Sequence, residues 1–413
     1  MKLSPNFIET PIFPRLLIIC FGFIGGASTI EKMTESFVRE AEACRVFSSS
    51  FYKILGKELK DSNIVSSPLS VHVLLSYLTH GARGRTAEEM VNCLSISGIE
   101  QWQFGYKNLI SSLNGPAKAD LLLANSVFLR EDVDLLPNFS SIGTDFYDFT
   151  VSKLNFGKSV ESAEEINSWA MKKTNNKINN IITSDDITDD TQMILANAIY
   201  FKGTWLFTFD AEKTTPKNFY VTKDVVKSVA MMSQKKRYRH GDLPELNARY
   251  IEIPYTDDNL SMVVVLPKEI DGLCHLEKNF NWNLILTADH TQKETILNLP
   301  KFTVESTIDL KEILEKLGMS EMFSNAANLS GIANSPLKVS KVLQKAFIEV
   351  NEFGTEAAAV TLGQIRLRRM VYEPDEFNVD RPFMVAIRHK PSDIPLFLGS
   401  VRDIGEPIPK DEL

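Results

Sequence analysis

Residues 356–377 read EAAAVTLGQIRLRRMVYEPDEF. Glu356 is followed by Ala357, Ala358 and Ala359, residues small enough to enter almost any environment. Three arginines, Arg366, Arg368 and Arg369, then fall within four positions around Leu367, and Met370 follows. Glu373, Pro374, Asp375 and Glu376 close the stretch with acid. Small, strand-compatible residues thus stand directly before a tetrapeptide, RLRR, that trypsin-like and processing proteases cleave.

The body around this stretch is of ordinary globular composition. Apolar residues make up 44% of the 413 and charged residues 24%, enough for a substantial core. A formal net charge of -8 argues against broad nucleic-acid binding, so a local basic cluster on this acidic body points to an acidic partner. At the start, Lys2 and Arg15 precede an apolar run, Leu16 to Ile24, and then Gly25, Gly26, Ala27 and Ser28. That run is too short to span a bilayer, and the small residues suit a peptidase. Residues 1–27 are therefore expected to be a signal peptide, and 28–413 a single domain with no membrane span. Cys20 would leave with the signal, and Cys44, Cys93 and Cys274 form no disulfide framework or zinc spacing, so buried or free thiols are expected. Lys410, Asp411, Glu412 and Leu413 spell the address for retrieval to the endoplasmic reticulum, which implies the KDEL receptor as a partner and ER residence with some escape to secretion. Asn138, Asn259 and Asn328 head N-x-S triplets, which would lie on the surface if glycosylated in that compartment.

Periodicity predicts a mixed α/β chain with antiparallel sheets. Phe37, Ala41, Cys44, Phe47, Phe51 and Leu55 share one face of a helix over 35–55, and a second helix is expected over 306–318, opened by capping residues and stopped at Gly318. Residues 259–267 read as a buried strand, and 381–389 with 395–401 as a hairpin. No catalytic constellation is legible. The six histidines are scattered, and there is no HExxH, no GxSxG and no GxxxxGK[ST]. The chain is not expected to be an enzyme, nor to hold a metal or cofactor. The cluster QKKRYRH, 234–240, could bind a polyanion, but a solvated strand edge is the simpler expectation.

Several blocks, in order along the chain, resemble the serpin family: NIVSSPLSV (63–71), LANAIYFKGTW (195–205), LPKF (299–302), VNEFGTEAAAV (350–360), FNVDRPF (377–383) and PLFLGSV (395–401). The resemblance implies about nine helices around three β-sheets with an exposed reactive-centre loop, here about 352–376, on a monomer. It also implies a mechanism. A protease attacks the loop, forms an acyl-enzyme, and is trapped when the loop inserts as a new strand into the central sheet. An inserted strand buries alternate side chains, so these must be small or uncharged. From Thr355 that set is Thr355, Ala357, Ala359 and Thr361, with Glu356 turned outward, while Glu352 and Gly354 match the family's hinge start. Ser67, Ser70 and Asn197 match the polar cluster beneath the opening sheet, with Gln344 where the family often has histidine, and Trp205 matches the aromatic at the loop's entry point.

Family spacing sets the scissile bond after Arg368, which suits a trypsin-like protease. Cleavage after Arg369 instead presents Arg-X-Arg-Arg, the pattern read by furin-like proprotein convertases with acidic clefts. The ER address favours the convertases. Serine proteases are thus the expected partners. An ER chaperone without inhibitory action and a carrier of small hydrophobic ligands are the other readings, and the insertion-compatible hinge argues against the first.

Overall fold

The computed structural model describes residues 27–96, 99–113, 120–353 and 374–405. Among them are nine α-helices: α1 (Ala27–Glu58), α2 (Pro68–Thr79), α3 (Gly84–Leu94), α4 (Ile99–Leu113), α5 (Pro137–Ile142), α6 (Ser159–Lys173), α7 (Leu273–Asn279), α8 (Trp282–Thr287) and α9 (Lys311–Leu317). Phe47, Phe51 and Leu55 of α1 are buried, as their shared face requires. Every residue of α2 is buried; Pro68 fills its first turn and Ser67 caps it, the side chain accepting from the Ser70 amide.

Five strands form one sheet, in the order β10 (Phe302–Asp309), β11 (Lys341–Val350), β4 (Met193–Lys202), β2 (Asp120–Arg130), β3 (Thr150–Leu154). One of its faces packs on the main core; the other, through Ile194, Ala196 and Ala198, packs with Ala163, Ile166 and Ala170 of α6. The remaining strands are β1 (Ile64–Ser66), β5 (Thr215–Tyr220), β6 (Val226–Leu243), β7 (Ala248–Pro254), β8 (Leu260–Pro267), β9 (Thr291–Pro300), β12 (Asp375–Asn378), β13 (Phe383–His389) and β14 (Ile394–Val401). They run as one path, β1-β14-β13-β8-β7-β6-β9-β12, with β5 beside β6. The eighteen-residue β6 is the joint of that path, pairing with β5 and β9 over its first part and with β7 near its end. The expected three sheets are therefore present, two of them continuous through β6.

Two local expectations change. Ser306–Asp309 do not open a helix. They continue β10, paired to β11 as far as Asp309↔Leu343, and α9 begins only at Lys311, whose amide donates to Asp309 Oδ1 at 3.0 Å. QKKRYRH is not a free edge either. Residues 231–240 pair one by one with β9, and the cations are engaged: Lys235 with Glu294 (3.0 Å), Arg239 with Glu252 (3.2 Å), Lys236 over the Phe207 ring. No helix among the described residues is long and apolar enough to cross a membrane.

Candidate functional site

The ladder between β4 and β11 joins the two halves of the five-stranded sheet. It is parallel, from Lys341↔Ile194 to Ile348↔Phe201, while β10–β11 and β4–β2 are antiparallel. The chain leaves β11 at Val350 directly beside this seam. A segment folding back from there would run antiparallel to both seam strands, the geometry in which antiparallel ladders form on each side.

Beneath the seam lies a buried polar network. Gln344 of β11, fully enclosed, uses its whole hydrogen-bonding capacity. Its amide donates to the Ser67 carbonyl (3.0 Å) and to Asn197 Oδ1 on β4 (2.6 Å). Its Oε1 accepts from the Ser67 amide (3.0 Å) and from the Ser66 hydroxyl. Asn197 Nδ2 donates in turn to Asn125 Oδ1 on β2 (2.7 Å), and the Ser67 and Ser70 hydroxyls lie 2.9 Å apart. The network thus ties the start of α2 to three neighbouring strands, and the Gln344–Asn197 bond crosses the seam. Buried polar groups need such partners, so the sheet cannot part here without breaking them. Ser67, Ser70, Asn197 and Gln344, expected from the sequence, are brought together. Ser66 and Asn125 were missed; Asn125 could have been noticed as an amide inside the apolar run of β2.

At the top of the seam, Trp205 is buried and stacks on Tyr255 (centroids 4.6 Å, planes at 8°), and its Nε1 donates to the Asn351 carbonyl at 2.8 Å. The chain reaches Trp205 through Gly203, where a Cβ would stand 2.6 Å from the Tyr255 ring. Glu352, also buried, accepts from Thr214 Oγ1 (2.8 Å) and pairs with Lys301 (3.1 Å), while its carbonyl accepts from the Phe209 amide (2.9 Å). The root of the loop is therefore pinned by Trp205, Phe209, Thr214 and Lys301. Gly354, Thr355, Glu356, Ala357, Ala358, Ala359 and Thr361 of the hinge, and Arg366, Leu367, Arg368, Arg369 and Met370 of the bait, lie outside the described residues, as do residues 1–26 and the tail Lys410, Asp411, Glu412 and Leu413.

Elsewhere the titratable groups serve packing. His72 Nδ1 lies 2.7 Å from the Tyr106 hydroxyl and 3.2 Å from Cys44 Sγ, and burial lowers its pKa to about 4 while pushing the Cys44 thiol up. Burial likewise lowers His80 and His389 to about 4. Cys44, Cys93 and Cys274 are unpaired, and no group of three or more His, Cys, Asp or Glu among the described residues could hold a metal ion. Asn138, Asn259 and Asn328 are all exposed.

Residues 42–404, nearly the whole described chain, match the serpin (serine protease inhibitor) family profile. The chain belongs to the serpin family. Leukocyte elastase inhibitor of Xenopus laevis is 35% identical over 370 residues, 87% of this chain and 98% of that protein. Alaserpin of Manduca sexta is 32% identical over 393 residues, 94% and 99% of the two. Among solved structures, Serpin48 of the insect Tenebrio molitor superposes with a TM-score of 0.81 at 30% identity, covering 89% of this chain and 98% of that one. Missing motifs alone supported only the negative expectation that the chain is not an enzyme; the family match corrects this to a positive class, an inhibitor of serine proteases. In this serpin the parallel seam, the Gln344 network and the pinned hinge root occupy one continuous line from the base of the sheet to the start of the loop.

Proposed function

We propose that this serpin is a suicide inhibitor of furin-like proprotein convertases, acting in the ER lumen and secretory pathway and cut after Arg369. The observation that carries the inhibitory half is the parallel β4–β11 seam with the loop root pinned at its upper end. A strand can enter there once cleavage frees it, and the trapped acyl-enzyme is drawn along. The target half rests on sequence: RLRR between hinge and β12, and the retrieval tail that would hold the chain where convertase precursors pass. Several arginines on separate carboxylates of an acidic cleft raise both selectivity and encounter rate. The relatives' names point to other serine proteases, such as elastase, and family spacing favours a trypsin-like cut after Arg368.

Incubation of the mature protein with furin, and separately with trypsin, followed by denaturing gels and mass spectrometry, decides among these. A covalent complex with furin, cut after Arg369, is the expected result. Complex with trypsin alone, cut after Arg368, would retain an inhibitor and remove the convertases. Cleavage by both without complex would leave a substrate, and the chaperone reading would take its place.

A further inference from the structure

Away from the seam, a hollow of about 600 Å³ opens between the end of β6 and the end of α8. Residues 240–245 form one wall and Leu284 with 287–291 the other, and Arg249 of β7, Lys293 of β9 and Asp375 of β12 complete the lining. The walls meet at Gly241, where a Cβ would stand 2.2 Å from the Asp289 carbonyl oxygen, so no larger residue fits. His240 and Asp242 alternate on β6 and so share a face, and Arg249 stands opposite Asp242 on β7.

Four carboxylates, Asp242, Glu245, Asp289 and Asp375, face two cations, Arg249 and Lys293, across this space. Arg249 is already engaged: Nη1 donates to the Glu376 carbonyl at 3.3 Å, and Nη2 lies 4.0 Å from Asp375. Asp242 has Lys268 at 3.7 Å, whereas Glu245 and Asp289 have no ion pair among the described residues. Acid alone does not make a site; His240 supplies the specific feature. It is 5% exposed, lines the hollow, and its Nε2 has no hydrogen-bond partner, a rare condition for a buried polar atom. Asp375 Oδ2 lies 4.0 Å from that nitrogen, too far for a hydrogen bond. Burial lowers the His240 pKa against the pull of Asp375 and Asp242, so at neutral pH the ring is uncharged and one nitrogen offers a lone pair. An imidazole nitrogen and a carboxylate so spaced leave the gap that an N–H cation fills. An ammonium nitrogen between them would lie about 2.8–3.0 Å from each. A metal ion fits worse, since no three acids or histidines among the described residues converge as ligands.

We infer that this hollow is a binding site for amines. It takes a chain bearing two or more ammonium groups, one seated between His240 and Asp375 and the next toward Glu245 and Asp289. A free polyamine and the lysine side chains of a partner peptide share that chemistry. The inference is independent of loop insertion and of the protease inhibited.

Isothermal titration calorimetry of the purified mature protein with spermidine, and separately with acetyl-Lys-Ala-Lys-amide, tests it. At least one is expected to bind at a single site; the tighter of the two identifies the source as free polyamine or peptide. His240→Phe should weaken binding about tenfold, since it removes an acceptor to a charged donor. Glu245→Gln with Asp289→Asn, both exposed and safe for folding, should weaken it about fivefold and covers the case in which His240→Phe does not fold. Asp189→Asn with Asp190→Asn makes the same change of charge in the linker before β4 and should leave binding within twofold of wild type. Absence of binding by both amines would overturn the inference. So would equal weakening by the two double variants, which is the signature of a general attraction to an acidic protein. Binding of magnesium alone with the same dependence on His240 would replace the amine by a metal and overturn it as well.

Discussion

Gln344→Leu keeps the side-chain volume roughly constant and deletes all four hydrogen bonds of the side-chain amide at once. The Ser67 carbonyl retains the Val71 amide at 3.3 Å, and the Ser66 hydroxyl can rotate. The Ser67 amide and Asn197 Oδ1 lose the partners seen at 3.0 and 2.6 Å. Each buried group so orphaned costs about 1–3 kcal/mol, so the native state should lose about 2–6 kcal/mol. Urea unfolding read by fluorescence measures this as a lower midpoint at unchanged slope. Because the Gln344–Asn197 bond crosses the seam, uncleaved insertion at 37 °C should also accelerate. Gln344→His, with one donor and one acceptor, should recover part of both effects. A loss below about 1 kcal/mol for the leucine variant would show that the network is not what holds the seam closed.

Glu352→Ala and Lys301→Ala should each cost about 3 kcal/mol, because each strands a nearly buried charge, and the double variant should cost less than their sum by about 1.5 kcal/mol or more. Additive losses in a urea-midpoint cycle would mean that the two groups act apart. Burial holds His72 and His389 neutral, with pKa values lowered to about 4 against an ordinary 6.5. Between those values the unfolded chain binds more protons, so stability should fall as pH drops from 6.5 toward 4, by up to about 1.4 kcal/mol per pH unit for each group. Urea midpoints at pH 7.5, 6.5, 5.5 and 4.5 should show this, and His72→Gln should flatten the slope; an unchanged slope would place the proton uptake elsewhere.

Much of the seam was legible because its residues sit in recognisable blocks: Gln344 six residues before Val350, Asn197 and Trp205 in one block, 195–205, that runs through β4 and just past its end. What escaped depends on who neighbours whom. Asn125 earns its place only once β2 lies beside β4, a pairing between segments some seventy residues apart. Arg249 reaches Glu376 across 127 positions, and nothing local distinguishes it from a solvated arginine. Ser306 to Asp309 carry the polar residues of a helix cap, but Phe302, Val304 and Ile308 alternate at period two, and pairing with β11 decides for strand. QKKRYRH resembled an edge because charge guards edges, yet β6 is long enough to serve two sheets and leaves these residues inside a ladder.

The pairing of β1 with β14 sets a timetable for synthesis. Ile64 faces Ser400, and the serine hydroxyl of that last strand also meets Tyr52 of α1 at 2.8 Å. Translation adds roughly 5–20 residues per second, so the partner of Ile64 arrives roughly 20–70 s after it. Throughout that wait Phe47, Phe51 and Leu55 have no completed sheet to cover them. The nascent chain must spend most of its synthesis time with its first helix unsheltered, a demand on whatever folding machinery receives it.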